Sequence, residues 1–202
     1  MCCLFGFIDY AGALSVRQKN RLIRELSIAA EARGTDAAGI AYNTSHGLQI
    51  YKRPLAAYRL HLRIPAEAHV IMGHTRMATQ GSAKRNYNNH PFFGHVKGES
   101  FALAHNGTIW NDLELRRTKH LPRTKVQTDS YIAVQLIERQ NALNLSSLKC
   151  MAEQVEGSFS FSVLSEQDDL WLIKGDNPLN IIHFPKVGVY VYASTAEILN
   201  KA

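Results

Sequence analysis

Cys2 stands directly behind the initiator methionine, so cleavage of Met1 would leave a thiol and a free α-amine on one residue. A thiol becomes an efficient nucleophile when a base takes its proton, and an N-terminal amine is a base already attached to it. The unperturbed amine titrates near ~7.7–8.0 and a cysteine near ~8.5, so the exchange of the proton is nearly level. Two plainer readings share the position: a small buried hydrophobe, or, together with Cys3, a site of acylation near a chain end.

Further segments carry polar groups that a folded core does not need. Residues 73–81, GHTRMATQG, set Arg76 where a strand opens into a loop, and a guanidinium there can grip a carboxylate through two parallel hydrogen bonds. Asn106 and Gly107 offer a side-chain amide and an unhindered backbone N–H side by side, a pair suited to an oxyanion; the same dipeptide is a hairpin-turn signature. Asp129 opens a helix, where an N-cap is the plain reading. Residues 33–39, RGTDAAG, form a tight loop between a helix and a strand.

Elements must hold these groups in place. Residues 4–8, LFGFI, are an apolar run short enough for a buried strand that pins the terminus. Ser15 is an expected N-cap for a helix to about Ala32, with Leu22, Ile23, Leu26 and Ala30 on one face and Gly34 as its stop. Strands are expected over 39–42, 48–52 and 69–75. A long loop from Arg76 to His95 then has the length of a lid or binding loop. A strand over 101–105 ends in the turn signature at Asn106, and Thr128 with Asp129 caps a helix whose Ile132, Ala133, Leu136 and Ile137 point inward. A second helix spans 146–156, and four short strands follow over 158–163, 170–174, 180–184 and 188–193. Strands, then helices, then strands fit two sheets covered by helices better than a parallel βαβ array.

The 202 residues, 46% of them hydrophobic, suit one compact domain over 1–202. No basic segment leads a long apolar one, so neither a signal peptide nor a membrane span is expected. Three cysteines, two adjacent, make no disulfide framework, and a reducing cytoplasm is the expected location. The formal charge of +6 is spread along the chain, which argues against nucleic acid as a partner. One dense patch, Arg116, Arg117, Lys119, Arg123 and Lys125, reads as a solvated loop, with a docking face for an anionic substrate or acidic partner as the alternative.

Taken together, these segments resemble the glutamine amidotransferase domain of class II, the N-terminal-nucleophile amidotransferases. Residues 1–6, MCCLFG, are similar to that family's Met-Cys-Gly-Ile-Phe-Gly, and 33–39 to its Arg-Gly-x-Asp-Ser/Ala-x-Gly. His74 to Gly81 match His-Thr-Arg-x-Ala-Thr-x-Gly, Asn88 to Pro91 match Asn-x-His-Pro, and Thr128 to Ser130 match Thr-Asp-Thr/Ser. His105 to Gly107 with Asn111 correspond to its His-Asn-Gly turn, and 156–159, 174–179 and 193–195 echo its closing strands. The resemblance implies an α+β, four-layer αββα sandwich of the N-terminal-nucleophile hydrolase type, with Met1 removed.

It also implies roles. Cys2 attacks the side-chain amide of L-glutamine, giving glutamate and ammonia through a γ-glutamyl thioester. Asn106 and the Gly107 N–H hold the oxyanion, Arg76 binds the α-carboxylate and Asp129 the α-ammonium. Thr79 lines the substrate, while Arg33 and Gly34 support the terminal cysteine. The ammonia would pass to a separate synthase subunit or enzyme. No metal or organic cofactor is implied, since His74, His90 and His105 are not spaced as a cluster with the cysteines. A different N-terminal-nucleophile amide hydrolase and a catalytically silent regulatory domain are the alternatives. Four positions depart from the family pattern: Cys3 for glycine, which sets a second thiol beside the first and invites oxidative capture; Met77 for an aromatic residue; Gln80 for histidine; and Tyr131 for glutamate.

Overall fold

Residues 2–202 are described by the structure, a computed structural model. Removal of Met1 therefore concerns a residue outside the described range. Two antiparallel sheets stack face to face. The larger has the order β3-β2-β4-β1-β10-β9 and the smaller β5-β6-β7-β8. The first comprises β1 (Cys3–Asp9), β2 (Ala37–Thr44), β3 (Gly47–Arg53), β4 (Val70–Arg76), β9 (Asn180–Phe184) and β10 (Val189–Ala193). The second comprises β5 (Phe92–Val96), β6 (Glu99–Ile109), β7 (Gly157–Ser165) and β8 (Leu170–Lys174).

Strand periodicity sorts the side chains into three cores. On β1, Cys3, Phe5 and Phe7 point outward to α1 (Val16–Ala29) and α5 (Ala196–Lys201), where Ile23, Leu26 and Ile198 close the layer. Leu4 points the other way, into a core shared between the sheets with Met72, Ala102, Ala104, Leu164 and Tyr192. On the far side, Phe101, Leu103, Phe161 and Val163 pack beneath α3 (Tyr131–Gln140) and α4 (Leu145–Gln154). Helices, sheet, sheet, helices: the architecture is the four-layer αββα sandwich.

Ser15 caps α1 as expected, in a capping box with Gln18. The α-helix stops at Ala29 and tightens into a 3-10 turn over Ala30–Arg33. Asn106 and Gly107 are not a turn: β6 runs through them, with Asn106 opposite Ser160 and Gly107 opposite Phe159. Pairing along β7 outweighs the local turn preference, and the glycine is used for its φ of +149°. The long loop ends sooner than expected, because Phe92–Val96 is a strand with buried Phe92, Gly94 and Val96 alternating with exposed Phe93 and His95. Two residues of the basic stretch, Arg116 and Arg117, belong to helix α2 (Asp112–Thr118), and Arg116 pairs with Asp112 at 3.9 Å and donates to Gln135 at 2.7 Å. Helix α5 was not among the expected elements, although Thr195 stands at its N-cap and Glu197 in its first turn. Among the described residues no helix is long and apolar enough to cross a membrane.

Candidate active site

The alternation that builds the cores also aims the polar groups. One step beyond the pairing of Cys3 with Thr75, Cys2 comes opposite Arg76, and both belong to the inter-sheet face that carries Leu4 and Met72. On β6 the even positions Ala102 and Ala104 share that face, so Asn106 joins them while His105 turns toward α3. Apolar packing thus leads to a polar end, where β1, β4 and β6 meet.

A cleft of about 140 Å³ lies there, lined by Cys2, Met77, Thr79, Asn106, Gly107 and Asn177 among others. Larger grooves exist elsewhere on the surface; this one is singled out by its chemistry, not its size. The Cys2 thiol is half-buried and donates to the Met77 carbonyl at 3.6 Å. Burial pushes its pKa up, with the nearby Arg76 charge opposing, so the resting group is a thiol in need of a base. Arg33 Nε donates to the Cys2 carbonyl at 2.8 Å, which fixes the residue from below. Gly34 acts one step away: a Cβ there would come within 2.4 Å of the Arg76 backbone.

Asn106 is buried, and its side-chain Nδ2 donates to Ser194 Oγ at 3.4 Å while its backbone carbonyl accepts from Asn177 Nδ2 at 2.7 Å. Ser194 Oγ also accepts from the Leu4 N–H at 2.9 Å, so one hydroxyl ties the candidate oxyanion donor to the strand behind Cys2. A Cβ on Gly107 would lie 1.9 Å from the Ser158 carbonyl, so no other residue fits.

Arg76 and Asp129 sit beside the cleft but do not line it. Arg76 is 3% exposed, and its guanidinium donates to Asn89 Oδ1 at 2.8 Å and to the Gln80 and Gly81 carbonyls at 2.6 and 2.9 Å. With these bonds made, two of its roughly five N–H donors remain for a ligand. Asp129 is not a helix cap: α3 starts after Ser130 without a side-chain cap bond, and Asp129 Oδ2 accepts from the Ile109 N–H at 2.7 Å. It clamps the start of α3 to the end of β6, because a buried carboxylate needs a donor and β6 supplies one where its ladder ends.

Several residues that shape the site were not singled out from the sequence. Asp36 binds the chain leaving β4, its N–H donating to the Arg76 carbonyl at 2.9 Å and its carboxylate accepting from the Ala78 N–H at 2.8 Å. Lys52 reaches under the loop and donates to the Asn89 and Pro91 carbonyls at 2.5 and 2.8 Å; burial, and then Arg76, bring its pKa down to about 8. Asp36, Asn177 and Ser194 lie inside the motifs quoted above, whereas Lys52 had no sequence signal. His74, His90 and His105 form a buried group behind the site. His74 Nε2 and the His105 carbonyl are 3.0 Å apart, His105 Nδ1 and Ser130 Oγ are 2.8 Å apart, and the His74 and His90 rings lie 4.1 Å apart. Burial lowers His74 to about 3 and His105 to about 4, and takes His90 well below its ordinary value, so all three are neutral near pH 7.

Cys3 does not share the cleft. Its side chain is fully buried in the core under α1, with Sγ donating to the Leu4 carbonyl at 3.1 Å, and burial raises the thiol to about 11. Adjacent strand positions point to opposite faces, so the expected capture of one thiol by its neighbour has no geometry to support it.

Comparison with known proteins bears on the same features. The profile of a glutamine amidotransferase domain family matches residues 74–201. The glutamine–fructose-6-phosphate aminotransferase of Halalkalibacterium halodurans is 30% identical over 203 aligned residues, covering 97% of this chain and 32% of the relative. That of Sulfurisphaera tokodaii is 32% identical over 195, covering 90% and 31%. The chain thus spans about a third of the length of these relatives. Among solved structures, the glutamine phosphoribosylpyrophosphate amidotransferase of B. subtilis superimposes with a TM-score of 0.74 at 22% identity, covering 99% of this chain and 43% of that one. An allosteric regulatory enzyme of purine biosynthesis gives 0.80 at 21%, covering 98% and 43%. At these identities the structural likeness speaks to the fold, and it agrees with the layered architecture described above.

Proposed function

The chain belongs to the glutamine amidotransferase domain family, with the N-terminal-nucleophile fold of class II, and from that premise we propose that it hydrolyses L-glutamine at Cys2. The observation that carries this reading is the meeting of Cys2, Thr79, Asn106 and Gly107 in one cleft from β1, the loop after β4 and β6. The α-amine that Met1 removal frees takes the thiol proton, and sulfur attacks the δ-carbon of glutamine. Negative charge gathers on the amide oxygen, where the Asn106 amide and the Gly107 N–H receive it. The C–N bond breaks, the amine returns the proton, and ammonia leaves a γ-glutamyl thioester. Water then attacks the thioester, the same oxyanion donors act again, and glutamate departs with the thiol restored.

Glutamine is a zwitterion at its α-carbon, and Arg76 and Asp129 carry the charges that would read it. Both lie beside the cleft and are buried, so binding glutamine requires the loop over 77–91 to move and open the two remaining Arg76 donors to the ligand. A separate synthase subunit or enzyme takes the ammonia in this reading, and the reducing cytoplasm keeps Cys2 a thiol.

Steady-state hydrolysis of L-glutamine, 4-aminobutanamide and glutaramic acid tests it. L-Glutamine should be turned over, the two analogues lacking an α-charged group should fail, and Cys2→Ala should abolish the rate with an unchanged melting temperature. Comparable rates on all three would leave a less selective amide hydrolase. No turnover by protein with a mass-verified free Cys2 would leave a silent domain.

A further inference from the structure

Away from the cleft, unpaired positive charge gathers on the outer face of α1. Arg17, Arg21 and Arg24 recur there at helical spacing, and His61 and Arg63 line the opposite wall of a groove of about 410 Å³. Among the described residues none of the four arginine side chains has an ion pair or a hydrogen bond. Like charges at such spacing repel and weaken a helix. A convex face would let them splay into water, but this groove holds them around one volume.

Its walls are fixed at both ends. Asn20 donates to the Ile64 carbonyl at 2.9 Å and accepts from the Ile64 N–H at 2.8 Å, while the Glu31 carboxylate accepts from the Tyr58 N–H at 2.7 Å. The Glu31 carboxylate is thereby engaged with backbone, not with an arginine. Between the clamps the floor is apolar, with Leu60 buried and Leu62 half-buried. The groove is therefore preformed, cationic at its rim and apolar at its base.

We propose that this groove binds a phosphorylated small molecule. Guanidinium forks from both walls take the phosphate oxygens, and the organic body lies on Leu60 and Leu62. Its volume suits one such ligand. The other basic stretch differs: Arg116 is engaged with Asp112 and Gln135, and the groove lined by Lys119 and Arg139 also carries the Glu138 carboxylate. The proposal is independent of the glutaminase reading.

Calorimetric titration of the full chain in roughly 0.15 M salt, where loose surface attraction is screened, provides the test. The probes are adenosine diphosphate, inorganic pyrophosphate and adenosine. Adenosine diphosphate should saturate one site, with pyrophosphate competing and adenosine binding far more weakly. Arg21→Glu and Arg63→Gln, on opposite walls, should each weaken binding by at least about tenfold, as lost charge-assisted bonds imply. Glutamine hydrolysis without added phosphate should stay at the wild-type rate in both. Pyrophosphate binding as tightly as the nucleotide would assign the site to the bare anion and overturn the role of the apolar floor. Absence of saturation, unchanged affinity in both variants, or tighter binding of single-stranded RNA through the same arginines would overturn the proposal.

Discussion

Asn106 has an amide that faces the cleft and a backbone that belongs to β6, and these two functions separate under mutation. Asn106→Ala removes one donor to a developing oxyanion, so kcat should fall on the order of 10²–10³ with little change in KM. The strand remains paired through Ser160, and Ser194 keeps its bond from Leu4, so the melting temperature should move little. A variant that melts much earlier yet keeps its rate per folded molecule would make Asn106 a packing residue. At the same scale, the two neighbouring thiols should differ in reactivity. Iodoacetamide on native protein at about pH 8 should label Cys2 and spare Cys3, whose thiol is buried and raised to about 11. Peptide masses read the outcome, and preferential labelling of Cys3 would contradict its placement under α1.

The loop over 77–91 contributes Met77 and Thr79 to the cleft, and it is held from three sides. Asp36 grips its start, Arg76 gathers the Gln80 and Gly81 carbonyls, and Lys52 holds the Asn89 and Pro91 carbonyls. Asn89 is the joint, since its side chain accepts from Arg76 while its carbonyl accepts from Lys52. Lys52→Met should leave two buried carbonyls short of a donor and cost about 1–3 kcal/mol. If Lys52 also positions Arg76, KM for glutamine should rise about tenfold while kcat falls less. Kinetics and melting together decide it: a lower melting temperature with an unchanged KM would confine Lys52 to stability.

For the whole molecule, the three buried histidines link stability to pH. Their folded pKa values lie below the ordinary ~6.5, so below that pH the unfolded chain binds protons that the folded chain refuses. Their contribution is complete above about pH 6.5 and is lost as pH falls toward the folded values near 3 to 4. Each histidine can cost up to about 1.4 kcal/mol per pH unit within that window. The melting temperature should therefore drop steadily between pH 6.5 and 4.5, a range above where most carboxylates titrate. A flat profile there would mean that the imidazoles reach solvent or a counter-charge when protonated.

The sequence by itself offered candidates for the chemistry and determined most of the framework. Periodicity is local, so the inward faces of α1 and α3 and the strands at 170–174 and 180–184 could be read from the order of residue types alone. Motif spacing likewise pointed to Cys2, Arg76, Asn106 and Asp129. What it could not decide was each group's partner. Asn106 and Gly107 carry a strong turn preference, yet they continue a strand because β7 offers a ladder along their length. Asp129 sits where a cap belongs, yet its carboxylate goes to β6 because a buried charge takes a donor wherever the fold brings one. Cys2 and Cys3 are neighbours in the chain and strangers in space, one facing the cleft and the other under α1. Lys52, more than thirty residues from Asn89, supports the loop only because β3 passes beneath it. Local preference is written residue by residue, but hydrogen-bond satisfaction is decided by what long-range pairing places within reach, and that is a property of the tertiary structure.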